Sequence, residues 1–316
     1  MHRVSKSVFS LALSLVFLFL FASDAALALQ AFALKVNPNG EQVWYQGLQE
    51  KMIASPDDSG MGPEIELDEE NNVYLMAFLF VAQFTKDGQV GWHFSVRAAS
   101  NLLTIHNNIL FEDYIDVSHL IYLFDSNNQM VWSLLLEEFI IFDLDINKQD
   151  ALLASGLDYN EDNQYTIYSI DLTGNIIWRH IQPVSKFINM AAIFLKSSNN
   201  GFYVAGFCRD NTIDADVNSA CLAFHNDEGD QQFILNVMPE EVKSLAIDAD
   251  GNALLAGADI YDISPAGEVL WSFEVGGVVY DMQVDTDGSI YALSQPGDSR
   301  VMLTKLDADG GFLWQE

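Results

Sequence analysis

The apolar residues of this chain fall in short runs separated by small clusters of Asp, Asn, Ser, Thr and Gly. Residues 73–77, 202–206, 253–257 and 290–293 are rich in apolar and β-branched side chains, and each follows directly on such a cluster. Runs of this length bounded by turn residues predict β-strands, and no useful stretch carries the 3.6-residue period of an amphipathic helix. A second signal is stricter. A glycine precedes an aromatic residue by four positions at Gly40/Trp44, Gly88/Trp92, Gly174/Trp178, Gly229/Phe233, Gly267/Trp271 and Gly310/Trp314. Asn128/Trp132 is a seventh case, with Asn in the place of the glycine. Three residues before each of these stands Asn37, Thr85, Asp125, Asp171, Asn226, Ser264 or Asp307. Such side chains hydrogen-bond main chain two residues on, and Gly or Asn supplies the positive φ that closes a bulged hairpin. Each copy therefore predicts strand, tight turn, strand, with a large aromatic anchor in the second strand.

Between these hairpins lie further turn signals at 68–72, 106–108, 147–150, 198–201, 248–251 and 285–288. The repeating unit is then four strands, with approximate copies at 63–95, 96–136, 139–182, 187–238, 242–275 and 278–316, and a leading hairpin at 31–46. Four-stranded units with a period of this size predict an all-β chain folded as a β-propeller, because a lone sheet cannot bury both faces and radial stacking does. Six complete repeats plus an N-terminal half-repeat fit seven blades with an incomplete first one, or six blades with an extra hairpin. Seven is the preferred count, since the Trp44 hairpin is as well formed as the others. All six tryptophans of the chain occupy the anchor position, which assigns them to packing between units.

The D-x-x-G-x-x-x-W element resembles the repeat of the quinoprotein-dehydrogenase-like (PQQ-type) propellers. The segment from Gly251 to Gly257 is similar to repeats of exported bacterial propellers. The resemblance covers nearly all of the chain after residue 28 and implies the fold. Quinoproteins of that type have eight blades, a longer chain and adjacent cysteines beside the cofactor. This chain has none of these, so the cofactor site is not carried over and no cofactor is expected.

The first residues change the picture of where the protein works. His2, Arg3 and Lys6 precede an apolar run from Val8 to Ala22, and Ala26-Leu27-Ala28 fits a small-residue cleavage site, with Ser23-Asp24-Ala25 as the alternative. The run is shorter than the roughly twenty residues a spanning helix needs. Residues 1–28 are therefore expected to be a signal peptide and 29–316 a single propeller domain, exported to the periplasm or the extracellular space, without stable membrane insertion. Export with only two cysteines, Cys208 and Cys221, predicts one disulfide clasping the polar segment 209–220. That segment carries Asp210, Asp214, Asp216 and Asn218 and is a candidate binding edge.

The formal net charge is −31, with 14 basic and 45 acidic residues. Such a charge excludes nucleic acid as a partner and favours cations, basic partners or plain solubility. In the first strands of the units, acids recur with period two: Glu64, Glu66 and Asp68; Asp143 and Asp145; Asp248 and Asp250; Asp281 and Asp285. In a propeller these strands line a central channel, so Glu64, Glu66, Asp143, Asp145, Asp248 and Asp281 are the candidate ligands for Ca²⁺, which takes six to eight oxygens. The stretch from Asp143 begins like an EF-hand loop but has Lys148 at the turn glycine and Ala154 at the bidentate acid. No nucleophile elbow, zinc motif or haem motif is present.

Two functions follow. One is an exported non-catalytic propeller, monomeric, acting as a binding or interaction scaffold for a protein or a glycan. The alternative is a calcium-dependent hydrolase of phosphatase or lactonase type using the acidic channel. Only 12 basic residues remain after residue 28, and they are scattered, which disfavours binding of a phosphate ester.

Overall fold

In this computed structural model the described residues are 28–29, 32–36, 42–47, 52–53 and 64–316, without 78–79, 97–98, 116–117, 162–163, 182–186, 211–217, 239–241 and 296–300. Nearly all of the expected signal peptide, the Asn37–Gly40 turn and the middle of the 209–220 segment lie outside them. The chain divides into two compact units, residues 1–136 and 137–316.

The first unit holds β1 (Ala28–Leu29), β2 (Phe32–Val36), β3 (Gln42–Gly47) and β4 (Met52–Ile53), then β5 (Glu64–Leu67), β6 (Val73–Ala77), β7 (Phe80–Phe84) and β8 (Val90–Ser95). It ends with β9 (Ala99–Ile105), β10 (Asn108–Ile115), β11 (Ser118–Phe124) and β12 (Met130–Leu136). Strands β5–β8 and β9–β12 each form one antiparallel four-stranded sheet in chain order.

The second unit holds four such sheets. They are β13 (Phe139–Ile146), β14 (Leu152–Asp158), β15 (Gln164–Ile170) and β16 (Ile176–Ile181); and β17 (Phe187–Ser198), β18 (Gly201–Asp210), β19 (Asn218–His225) and β20 (Gln231–Met238). The others are β21 (Ser244–Ile247), β22 (Ala253–Ala256), β23 (Asp259–Ile263) and β24 (Val269–Glu274); and β25 (Val278–Val284), β26 (Ile290–Gln295), β27 (Met302–Leu306) and β28 (Phe312–Gln315). One short 3-10 turn, Tyr159–Glu161, is the helical element among the described residues.

The count of sheets corrects the preference for seven blades: the described residues form six four-stranded sheets. Strand β2 pairs with β3 and β1 with β4, as separate two-stranded sheets. The Trp44 side chain shows why a well-formed hairpin need not make another blade. It packs on the first four-stranded sheet, stacked at 6.2 Å on Phe84, and its indole N–H donates to the Lys86 carbonyl at 3.1 Å.

The core lies between consecutive sheets. Alternate residues of a strand face opposite ways, and the middle strands are covered on both sides. Val73 and Leu75 join the cluster that Trp44 covers, whereas Tyr74 and Met76 pack with Leu102, Ile109 and Phe111 of the next sheet. In the second unit Leu153 and Ile167 meet Leu195 and Val204; Leu222 and Phe224 meet Leu245 and Leu255; Leu254 and Ile260 meet Met282 and Leu306. Two-sided burial explains why the second strands β6, β18, β22 and β26 contain the apolar runs 73–77, 202–206, 253–257 and 290–293.

The turns carry the chemistry that their residues imply. Asp125 Oδ1 accepts from the amides of Asn127 and Gln129 at 2.9 and 2.8 Å, and Asn128 takes a φ of 61° in the place of the usual glycine. Gly310 is held for a second reason: a Cβ there would lie 2.6 Å from the Trp271 indole. Gly88 meets Trp44 and Gly229 meets Trp178 in the same way. In these three cases the aromatic anchor lies over the turn glycine of the following sheet. Phe233 is the exception. It stacks on Phe224 in its own hairpin at 5.9 Å, and Leu235, two residues on and on the same face, meets Gly267 instead.

Candidate functional site

The candidate calcium ligands have separate local partners. Asp248 accepts from the amides of Asp250 and Asn252 at 2.9 and 2.7 Å and from the Asn252 side chain, closing its own turn. Glu64 and Glu66 lie on β5 opposite Met76 and Tyr74, and the Glu64 side chain is outside the described residues. Asp281 accepts from the Met282 amide at 2.8 Å. Asp143 and Asp145 reach from β13 to the next sheet: Asp143 Oδ2 accepts from the Leu195 amide at 2.7 Å, and Asp145 Oδ2 from the Ser197 amide at 2.5 Å. No group of three His, Cys, Asp or Glu among the described residues is placed to hold a metal ion.

The Asp143–Asp145 arrangement has a clear physical purpose. Strand β17 is the end strand of its sheet, so amides on its far edge have no partner strand. Leu195 and Ser197, two residues apart, turn their amides the same way, and two carboxylates at the same spacing on β13 receive them. While the carboxylates are ionised, bonds of this kind contribute about 1.5–3 kcal/mol each. Burial pushes the Asp143 carboxyl up to about 7; the Lys196 ammonium and the Leu195 and Leu144 amides oppose this, and the Asp145 charge adds to it. Lys196 also acts on Asp281, whose carboxyl is raised by desolvation. The second unit therefore brings Asp143 and Asp281 into the electrostatic reach of one lysine. Asp281 keeps contact with solvent, so its shift carries no weight for stability.

Two side-chain clusters were not foreseen from the sequence. Glu112 and His119 are both buried; His119 Nδ1 lies 2.6 Å from Glu112 Oε2, and Asn101 Nδ2 donates to Oε1 at 2.8 Å. A carboxylate only accepts, which puts the imidazole proton on Nδ1. His119 Nε2 has no hydrogen-bond partner among the described residues. Asn101 reaches Glu112 from a β-bulge with a φ of 52°. In the second unit, buried Asp158 accepts from Arg179 Nη2 at 2.5 Å and from the Tyr168 hydroxyl at 3.3 Å. Glutamate and histidine seven apart share a face in the register seen here and would lose it on a one-residue slip, and that register was the missing signal.

The cysteines sit on neighbouring strands. Cys208 lies opposite Ser219 and Cys221 opposite Gly206, so the two cysteines share a face on a diagonal rather than directly across the ladder. Cys221 is buried, and no cysteine among the described residues is free.

The last strands differ from everything above. Met130 and Val131 on β12, Ile176 and Ile177 on β16, Val269 and Leu270 on β24, and Phe312 and Leu313 on β28 are all exposed. Each pair immediately precedes the aromatic anchor. Every one of these strands is the end strand of its sheet. On β28 the anchor itself is open: Trp314 is 37% exposed, with Tyr291 edge-on to it at 6.2 Å.

Comparison with solved structures identifies the class. The Pan2 WD40 domain of Neurospora crassa superposes with a TM-score of 0.60 at 11% identity, over 90% of this chain and 87% of that one. BamB from Moraxella catarrhalis gives 0.51 at 13% identity, over 93% and 96%, and the Dos1 propeller gives 0.57 at 10%, over 89% and 73%. No family model matches the chain, and no curated protein matches it in sequence. At this identity the likeness concerns the fold: the protein is an all-β propeller with six four-stranded blades. No helix among the described residues is long and apolar enough to cross a membrane.

Proposed function

We propose that the protein is an exported, non-catalytic propeller that acts, as a monomer, as a binding scaffold for another macromolecule, a protein or a glycan. The observation that carries this reading is the exposed apolar pair repeated on the end strands β12, β16, β24 and β28, four of the six four-stranded sheets. Large apolar side chains left open at equivalent positions, on a chain of net charge −31, mark surface that is kept for contact rather than for solubility. The residues that chemistry would need have structural partners instead. Asp143 and Asp145 bind amides of the next sheet, Asp248 closes a turn, and Asp158 is paired with Arg179.

Export rests on the basic and apolar start of the sequence. An oxidising destination goes with a Cys208–Cys221 bridge across β18 and β19, for which the shared face and the buried Cys221 are the support. Thiol titration in denaturant without reductant, finding two free thiols in protein from an oxidising compartment, would refute the bridge.

The scaffold reading is tested by turnover. The purified chain is assayed with and without Ca²⁺ against phosphate esters, lactones and glycans, and partners are captured from the native envelope. The expected result is capture without turnover. Steady turnover abolished by Asp143→Ala or Asp281→Ala would replace the scaffold with the calcium-dependent hydrolase.

A further inference from the structure

The end strands of the last two sheets, β24 and β28, are joined by a ring contact: Phe273 stacks on Phe312 with centroids 6.3 Å apart and planes at 9°. Phe312 stands opposite Leu306 in register and so shares its face. Leu306 is buried in the cluster between these two sheets, on which Trp271 and Phe273 also pack. Trp271 adds a second tie, since it lies over Gly310, two residues before Phe312. Phe312 nevertheless stays 56% exposed and Leu313 49%, with Val269 and Leu270 at 55% and 52%. The two apolar pairs therefore belong to one surface that spans two blades. Blade geometry does not impose it, because β20 has exposed Gln231 and Gln232 at the same two positions.

Acids rim this surface. Glu268 directly precedes Val269, Glu274 directly follows Phe273, Asp309 lies in the turn before Phe312, and all three are exposed. Neither strand carries a basic residue. Lys305, opposite Trp314 in register, is turned to the Tyr291 ring, 4.8 Å from its centroid. A second copy of the chain would set acids against acids, and so would anionic lipid. A polypeptide that is apolar along one stripe and basic on its flanks complements both features.

The strands also decide the form of that polypeptide. Both carry a bulge, at the register shifts between Asp262 and Ile263 and between Lys305 and Leu306, and bulges protect an end strand from pairing. Past the second bulge Glu316 exchanges both of its main-chain bonds with Leu303, at 3.0 and 2.8 Å, so Gln315 turns its amide outward. One such amide is too little for an added strand, and recognition rests on side chains. A helix sets apolar residues at i, i+3, i+4 and i+7 along about 10 Å of its axis. Three residues of strand, Leu270 to Phe273, span about the same 10 Å.

We propose that this surface docks an amphipathic helix of a partner polypeptide, its apolar stripe on Leu270, Phe273 and Phe312 and its basic flanks against Glu268, Glu274 and Asp309. This rests on the scaffold reading and names the chemistry of its partner.

The probe is a fluorescein-labelled peptide of about eighteen residues, five helical turns, with leucines on one stripe and alanine and lysine elsewhere. Binding to the purified chain is read by anisotropy. One control has the same composition with the leucines spread around the helix; the other has glutamate for lysine. Leu270→Ser and Phe312→Ser remove apolar contact without changing charge, and thermal unfolding checks that each variant folds. Ile177→Ser on β16, where the parent side chain is 56% exposed, is the matched change elsewhere in the unit. The expectation is a Kd weakened at least about tenfold by Leu270→Ser, by Phe312→Ser and by spreading the leucines, little binding of the glutamate peptide, and no change with Ile177→Ser. Equal binding of the spread-leucine peptide, or by both groove variants, would mean that charge alone attracts the probe and would overturn the proposal. Equal weakening by Ile177→Ser would overturn it too, as would a dimer in sedimentation or binding to neutral lipid vesicles that Leu270→Ser abolishes, since another occupant would then cover the surface. Failure of the striped peptide to bind sinks the docking proposal, whereas substrate turnover sinks the scaffold reading; the two failures are read in separate assays.

Discussion

In the second unit the two margins of a blade face the same hazard and meet it in different ways. An end strand leaves half of its amides and carbonyls unpaired. At β17 the opening is closed from the side: Asp143 and Asp145, spaced as the amides of Leu195 and Ser197 are spaced, cross from β13 and accept them. At β28 nothing among the described strands closes the edge, and the side chains along it are apolar and exposed. The closed margin spends charge on holding adjacent blades in register. The open margin has the composition of a surface that is to be covered by something else.

The comparison is sharpened first by two tryptophans at one repeat position. Trp271 lies over the Gly310 turn and packs on the cluster around Leu254 and Met282, whereas Trp314 is partly exposed. Trp271→Ala is expected to destabilise by about 3–5 kcal/mol, the range for large aromatic deletions in cores. Trp314→Ala should cost clearly less in the same denaturant titration. Equal losses would mean that both margins are packed alike.

Next is the closed margin itself. Asp143→Ala leaves the Leu195 amide without its acceptor and should cost about 1.5–3 kcal/mol, with Asp145→Ala similar through Ser197. Because the two ties join the same pair of strands, the double variant is expected to depart from additivity in a double-mutant cycle. Strict additivity would argue that the carboxylates act independently rather than as one clasp.

A pH series tests the same residue with a definite sign. The folded Asp143 carboxyl, at about 7, holds its proton where the unfolded one, near 3.8, has lost it. Between those values the native state binds more protons, so this group lowers stability as pH rises. Asp262, raised to about 6 by burial and by the charge of Asp248, acts in the same direction. Buried His225, lowered to about 4, acts oppositely and raises stability as pH climbs from about 4 toward its unfolded value of 6.5. Asp143→Asn should therefore make the stability curve of the chain fall less, or rise more, between about pH 4 and 7 than the parent curve does. An unchanged slope would contradict the half-buried, proton-holding carboxyl. The smallest effect is expected at the open margin, where Leu313→Lys should shift stability by no more than about 0.5 kcal/mol.

Much of this fold was legible before any coordinates. Asp125, Asp171 and Asp307 announced their turns because an Asx side chain acts on residues two to four away, and so did Asn128 in the glycine's role. What the pattern could not carry was which polar groups meet between sheets. Asp143 and Asp145 read as paired acids on one strand face, but the amides that they meet are about fifty residues away in sequence and belong to another blade. The preferred blade count failed for a related reason. Trp44 and its hairpin looked like part of a further blade, yet the tryptophan packs on Phe84 of the first four-stranded sheet, and no strand pattern distinguishes those outcomes. The Asn101–Glu112–His119 cluster depends on a bulge that shifts register by one residue, which composition does not record. Phe233 was read as equivalent to the tryptophans, and the shorter ring leaves its role over Gly267 to Leu235.

The contrast between closed and open margins can be read amide by amide. Native-state hydrogen exchange, resolved by NMR on the free chain, should find the Leu195 and Ser197 amides strongly protected and the Gln315 amide exchanging near the rate of unstructured peptide. Rapid exchange at Leu195 and Ser197, or protection at Gln315 without any partner present, would contradict the account.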